Sequence, residues 1–446
     1  MTYLAITDHQ TTINFNSDGI LLERYVPTWS NEGNITETIE IAITGSTVSE
    51  IVDKIRAIEK AITTSQHYQD NRLGKQWYIQ ITPNDMTTVL ESPIYSGRVV
   101  LSDNALRWPL RNKRVRAGVV IERANWWEKT TEEEIPLTNG NGSGVTGGIN
   151  VFNCNDGSGT TPNKRNNYVE MSNLGGELPA RCRIEIVNWY NSSSRLYNIW
   201  IGKNAFSNPS SFTHVIEGES ASYGGTNMSG SFSGGYTRLF TWSGDAKAYI
   251  AQWSLAPSML EAGGGRWFKV YAALTNTLDN IYMQLKLTFP SGVPLTILQQ
   301  DQEKLVNTNY KFSELGTLQL PPWLEDITGL YPIDLTLFAR KTGGGSFGID
   351  FLYFMPAEGF LLLSPKGYGL AYLTRVVYDG MNEVVYSDWW SPSGKASHYM
   401  RYGADLLLEP GITNRLYFQQ SCNTGDINID RLIRVRVYYK ARYGTI

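Results

Sequence analysis

The chain has 446 residues, a net charge of −3 and only 18% charged residues, with 42 glycines, 13 tryptophans and 26 tyrosines. Its length allows about three domains with full cores. The near-neutral balance excludes a strong global pull on nucleic acid or anionic membrane. No run reaches the roughly eighteen apolar residues of a membrane span, and the first fifteen residues lack the basic and apolar regions of a signal peptide.

The glycine and aromatic content predicts β-sandwiches joined by glycine-rich turns. Short strands are expected at 11–15, 20–25 and 36–44, the last with Ile39, Ile41 and Ile43 alternating onto one face. The run 47–64 departs from this pattern. Val48, Ile51, Ile55, Ile58 and Ile62 recur at intervals of three and four, which places them on one helical face. Thr47 and Glu50 form a T-x-x-E capping box, and Glu50 with Lys54 makes an i, i+4 pair on the outer face. A single early helix among strands, with none later, is the expected topology. Further strands are read at 76–82, 89–95, 96–101, 105–110 and 114–123, and the first domain is set at 1–145.

Residues 139–159 are dominated by Gly, Asn and Ser. Such a composition buries too little surface to order itself, so a linker and domain boundary is expected here. The second domain, 146–365, is read as a jelly-roll sandwich. Its strands are 168–171, 180–188, 197–202, 239–242, 249–255, 266–274 and 281–289, with a hairpin of 333–340 and 347–355 about Gly343, Gly344 and Gly345. The segment 366–446 carries a hairpin around Asp379 and Gly380 and three more strands. It is short for a free-standing domain and is expected to pack back on an earlier one.

No catalytic, cofactor-binding or metal-binding residue is assigned. Cys154, Cys182 and Cys422 are odd in number and lack C-x-x-C spacing, which argues against a disulfide framework or zinc site and suits a reducing cytoplasm. His9, His67, His214 and His398 never pair at metal spacing. Residues 142–147 match G-x-G-x-x-G, but glycine linker flanks them where a dinucleotide site needs a strand and a helix. Residues 155–159 resemble a calcium loop without the bidentate Glu. Asp334 and Asp350, on facing strands of the expected hairpin with Glu325 and Asp326 before it, form the one carboxylate pair that could serve a glycosidase; solvated or turn-capping carboxylates are the plainer reading.

Trp126–Trp127, Trp189–Tyr190, Trp389–Trp390 and Tyr438–Tyr439 are expected to give one core ring and one exposed ring each, the exposed ring being available for sugars, bases or an interface. Two basic stretches stand out, with Arg107, Arg111, Lys113, Arg114 and Arg116 in one and Arg431, Arg434, Arg436, Lys440 and Arg442 in the other. Each is either the wet face of an edge strand or a seam toward acidic neighbours such as Glu132, Glu133 and Glu134 of another subunit.

The order of parts resembles a known family. VSEIVDKIRAIEKAI followed by WYIQITP and SPIYSGRVV is similar to the N-terminal domain of long-tailed bacteriophage tail proteins of the distal-tail type. NYVEMSNLGGELPARCRIEIVN and LYPIDLTLFARKTGGGSFGIDFLYFMP resemble the jelly roll attached to phage minor tail proteins, and LLLEPGITNRLYFQQ with IRVRVYYKARY resembles their closing segment. The resemblance implies a mainly β structural subunit of a phage tail or baseplate, without enzymatic activity or cofactor. Its N-terminal domain would form a homo-oligomeric ring and its sandwich would project outward. Other tail proteins would be its partners, with a host surface glycan as a further one, and no specific nucleic acid or membrane insertion. It would be made in the host cytoplasm and reside in the virion. The alternatives are a carbohydrate-binding adhesin and a tail-associated glycan hydrolase.

Overall fold

The computed structural model describes residues 3–30, 33–83, 87–101, 113–140, 142–160, 163–206, 212–275, 280–289, 297–306, 312–322, 333–387, 399–422 and 427–444. The expected strand at 105–110, together with Arg107, Arg111, Glu325, Asp326, Trp389, Trp390 and His398, lies outside them.

The fold is mainly β. In chain order the elements are β1 (Tyr3–Thr7), β2 (Thr12–Asn14), β3 (Ile20–Arg24), β4 (Ile35–Thr44), α1 (Val48–Asn71), β5 (Tyr78–Thr82), β6 (Leu90–Leu101), β7 (Arg114–Arg123), β8 (Trp127–Lys129) and β9 (Glu133–Glu134). They continue with β10 (Ile149–Phe152), β11 (Tyr168–Met171), β12 (Ala180–Asn188), β13 (Ile199–Phe206), β14 (Val215–Glu217), β15 (Thr226–Ser229), β16 (Tyr236–Trp242) and β17 (Ala248–Ser254). Then come α2 (Pro257–Gly263), β18 (Trp267–Leu274), β19 (Ile281–Thr288), β20 (Ile297–Gln300), β21 (Lys304–Val306), β22 (Phe312–Gln319), β23 (Asp334–Arg340) and β24 (Gly345–Pro356). The last are β25 (Gly359–Pro365), β26 (Arg375–Asp379), β27 (Val384–Ser387), β28 (Tyr399–Gly403), β29 (Leu407–Leu408), β30 (Thr413–Gln420), β31 (Leu432–Tyr439) and β32 (Arg442–Tyr443).

The chain forms two compact units. The first comprises residues 1–133, 175–180 and 440–446. Its sheet runs β2-β1-β5-β6-β7-β4-β3, with β8 joining β6 to β32. α1 covers this sheet because Ile51, Ile55, Ile58 and Ile62 meet Ile39, Ile41, Ile43, Val119 and Ile121 in one core. At Gly97 of β6 any Cβ would collide with the Val120 carbonyl and press on Ile62. The helix starts as expected, Thr47 Oγ1 accepting the Glu50 N–H at 3.2 Å. Glu50, however, reaches one residue further back, accepting the Ser46 N–H at 2.7 Å and its hydroxyl at 2.6 Å. Lys54 donates to the Thr44 carbonyl at 2.8 Å.

The helix also runs past residue 64 to Asn71, where its apolar rhythm has already ended. Polar bonds carry these last turns. Buried Ser65 donates to the Ile94 carbonyl at 2.6 Å and accepts the Trp77 N–H at 3.0 Å. Arg72 closes the helix in the left-handed region at φ 61°.

The second unit comprises residues 134–174 and 181–439. Residues expected to be linker are part of it. β10 pairs β31, Ile149 and Val151 are fully buried, and Leu137 bridges Val145. Two alternating buried residues in a four-residue stretch were enough to build a strand once a partner was present, so the glycine-rich composition did not decide the outcome. β31, expected at an edge, is interior, lying between β10 and β12.

One framework combines the early strands with the late ones, in the sheets β10-β31-β12-β26-β27 and β11-β30-β13-β25-β28. Residues 366–439 therefore complete sheets begun at 149–206. A buried amide network links the two sheets, Asn153 Nδ2 donating to the Gln420 carbonyl at 2.8 Å and Gln419 Nε2 to that of Asn153 at 3.0 Å. β13 and β25 pair directly, Ile199 opposite Leu363, so residues 215–356 leave and re-enter the framework between neighbouring strands.

That insertion is a β-sandwich. The sheets β15-β16-β24-β18-β22 and β17-β23-β19-β20 enclose a core that includes Phe240, Trp253, Phe268, Leu285, Leu287, Leu337 and Phe347. Against the expectation of no later helix, a second one, α2, is present; Pro257 starts it and Met259 and Leu260 bury against this core.

Candidate functional site

β23 and β24 are successive but do not pair. One belongs to the β17-β23-β19-β20 sheet and the other to the opposite sheet. The expected hairpin is thus a crossover between layers, and Asp334 and Asp350 are not cross-strand neighbours. Asp334 is nearly buried, accepting from Gln252 at 2.5 Å and from the Ser254 hydroxyl at 2.6 Å.

Asp350 instead shares its surroundings with Glu217 and Glu219, which sequence reading did not single out. It lies on the wall of a cleft of about 480 Å³, with Phe232, Thr275, Asn428 and Asp430 also lining it. The Ser233 N–H donates to Asp350 at 2.9 Å and the Ser233 hydroxyl to Glu217 at 2.8 Å. Burial, and then the nearby Glu217 charge, pushes the Asp350 carboxyl up to about 8. Burial, and then Glu219 and Asp156 against the Ser233 bond, raises Glu217 to about 7. One oxygen each of Glu217 and Glu219 is buried without a hydrogen-bond partner. Such carboxyls hold protons near neutral pH. Among the described residues no group of three or more His, Cys, Asp or Glu side chains has metal-binding geometry.

The outer face of the β17-β23-β19-β20 sheet brings aromatic, cationic and amide side chains together. Thr336, Phe338 and Arg340 of β23 alternate outward while Leu335, Leu337 and Ala339 fill the core. Tyr282, Gln284 and Lys286 of β19 do the same opposite them. A bulge between Tyr249 and Ala251 resets the register of β17, which brings both Tyr249 and Gln252 to this face. Tyr223 bridges Gln252 and stacks on Tyr249, with ring centroids 4.5 Å apart and planes within 8°. Tyr223 is 51% exposed. Lys286 and Lys247 lie over the Phe338 ring at 4.3 and 5.8 Å, and Arg340 lies over Tyr282 at 4.1 Å.

The aromatic pairs singled out in the sequence are less open. Trp127 is buried under Arg123, and Trp126 lies 3.8 Å beneath Arg442. Tyr439 is buried and Tyr438 lies under Arg183 at 4.0 Å; Trp189 lies under Arg434 at 5.2 Å. Their outward faces are capped by the chain's own arginines. The basic stretches likewise find partners within the chain. Arg114 and Arg116 bond Glu23 at 2.5 and 3.1 Å, while Lys440 bonds Glu91 at 2.8 Å and Arg442 bonds Glu128 at 3.1 Å. Of the acidic trio, Glu133 is held by Lys129 at 2.5 Å. None of the three cysteines is in a disulfide, and the 142–147 glycine run has neither the preceding strand nor the following helix of a dinucleotide site.

In the first unit β2 and β3 end the sheet path among the described residues. Leu21 of β3 is 44% exposed, and Val26 and Trp29, which follow it in the chain, are 64% and 55% exposed.

No family model and no curated protein matches the chain. Among solved structures it is similar to the SPP1 Dit (gp 19.1) protein, described as a paradigm of the hub adsorption apparatus in Gram-positive infecting phages, at 8% identity over 98% of each chain with a TM-score of 0.29. It is also similar to chains of the phage P2 baseplate in its activated conformation. With Ca the identity is 8%, over 100% of this chain and 99% of that one, and with Sr it is 7% over the same shares, each with a TM-score of 0.29.

Proposed function

We propose that this protein is a non-enzymatic structural subunit of a bacteriophage tail or tail tip. It is made in the host cytoplasm and assembles into the virion as a ring through its first unit, which carries the second unit outward toward the host. The observation that carries this reading is the pair of unlike strands, β2 and β3, that end the sheet path among the described residues, with Leu21 of β3 and the nearby Val26 exposed. Open strand edges with apolar flanks seek partners. Two different edges that meet head to tail generate a closed ring when the rotation permits. The order of the capped helix, its flanking strands and the closing segment supports the tail assignment. Other tail proteins are the expected neighbours above and below the ring.

The test is light scattering of the full chain across concentration, with Leu21→Glu/Val26→Glu beside it, and antibody labelling of virions. Rings that the double variant abolishes, together with label on the tail, are expected. A monomer at all concentrations with no label on virions refutes the reading.

A second reading, carbohydrate binding by the inserted sandwich, is favoured by the stacked and exposed tyrosines of its outer sheet face.

A further inference from the structure

The same sheet face holds a charge imbalance that its own residues leave unsettled. Among the described residues three cations lie on it: Lys286, Arg340, and Lys247, which donates to Gln284. Glu303 serves two of them, bonding Arg340 at 2.7 Å and approaching Lys247 at 3.9 Å. Asp334, the other carboxylate here, is turned to Gln252 and Ser254. Among the described residues Lys286 has only the Phe338 ring beneath it. Lys286 and Lys247 thus share one ring, and burial followed by repulsion from Lys247 holds the Lys286 ammonium below its ordinary value. An anion between them would offset this repulsion.

The surroundings select the kind of anion. Tyr223, stacked on Tyr249, and Tyr282, partly covered by Arg340, offer flat apolar ring faces on either side of the lysines. Gln252, Gln284 and Thr336 lie between them, held by Asp334, by Lys247 and the Asp301 carbonyl, and by the Lys286 carbonyl respectively. Aromatic platforms flanking a few fixed polar groups suit sugar rings. Three cations are too few to track a nucleic acid backbone along a groove.

We propose that this face binds an acidic polysaccharide, with sugar rings on the tyrosines and a carboxylate or phosphate group seated between Lys247 and Lys286. The proposal rests on the carbohydrate-binding reading and narrows its ligand.

The full chain is titrated by calorimetry with polygalacturonate, a phosphomannan, neutral dextran and single-stranded DNA. We expect binding to one or both acidic polymers at least about tenfold tighter than to dextran or DNA; the two acidic arms separate carboxylate from phosphate. Lys286→Gln and Tyr223→Ala, both surface changes that preserve the melting temperature, each weaken it by about tenfold. Lys269→Gln, on the opposite sheet and paired with Glu314 at 3.2 Å, does not. Equal affinity for dextran overturns the acidic ligand but leaves sugar binding standing. No binding to any glycan overturns both, as does tighter binding to DNA. Acidic-polymer binding unchanged in Lys286→Gln and Tyr223→Ala overturns this face as the site.

Discussion

Glu37 and Arg123 occupy positions that alternation reserves for the core. Glu37 is in phase with Ile39, Ile41 and Ile43 on β4, and Arg123 with Val119 and Ile121 on β7. Their side chains are essentially unexposed and paired through two bonds, of 2.8 and 2.7 Å. Tyr25 and the Thr28 N–H each donate to Glu37 at 2.6 Å, and Arg123 donates to the Ala124 and Thr28 carbonyls at 2.7 and 3.0 Å. Removing one partner leaves a buried charge, so Arg123→Met should cost about 3–5 kcal/mol in urea unfolding of the first unit. Burial alone would raise the Glu37 pKa, but Arg123 and Tyr25 outweigh it and hold it below the ordinary 4.5. A lowered acid contributes stability above pH 4.5 that is lost as pH falls through its folded value. Asp350 and Glu217 carry the opposite sign. The folded state keeps their protons up to about 8 and about 7, whereas the unfolded chain releases them near 3.8 and 4.5. Their contribution is full below those ordinary values and is lost as pH rises to about 8. Unfolding midpoints of the second unit should therefore fall over that window, and Asp350→Asn should flatten the fall.

α1 shows how an element can be half apolar and half polar in its support. Ile58 is fully buried on its sheet-facing side while the Arg56 side chain is 74% exposed. Ile58→Ala should cost about 2–5 kcal/mol and Arg56→Ala less than about 1 kcal/mol, read from melting of the intact chain. Equal losses would place the apolar face elsewhere. The last turns depend on Ser65. Ser65→Val leaves the Trp77 N–H and Ile94 carbonyl without their hydroxyl and should cost about 1–3 kcal/mol, with faster amide exchange confined to residues beyond 62.

Chain ends matter at the scale of the whole molecule. Lys440 and Arg442 neutralise Glu91, which is fully buried, and Glu128, which is nearly so. Burial alone would lower the Lys440 pKa, but Glu91 and Glu128 raise it. Removing residues 440–446 should therefore destabilise the first unit, leaving Glu91 with neither a cation at 2.8 Å nor access to water. Hydrogen exchange of β5 and β6 in the truncated chain should rise well above that of β18 and β24. Equal exchange in both would show that the closing segment is dispensable.

Local periodicity settled much of this protein. The spacing of Ile51, Ile55, Ile58 and Ile62 specified α1 and its buried face, because every interaction involved lies within a few residues. The alternation of Ile281, Met283, Leu285 and Leu287 likewise specified β19 and its inward side. Pairing could not be read in this way, because a strand's alternation says which face is wet but not which strand lies beside it. Alternation alone therefore suggests a hairpin for β23 and β24, which cross between sheets, and an edge strand or an intersubunit seam for β31, which has β10 and β12 on its two sides. The outward ring of Trp126 was legible as aromatic, but the arginine that covers it comes from β32, more than three hundred residues away. The face of Tyr223, Tyr249, Lys286 and Phe338 stayed hidden for the same reason. Its four side chains come from three strands and a loop, and only the sandwich brings them together.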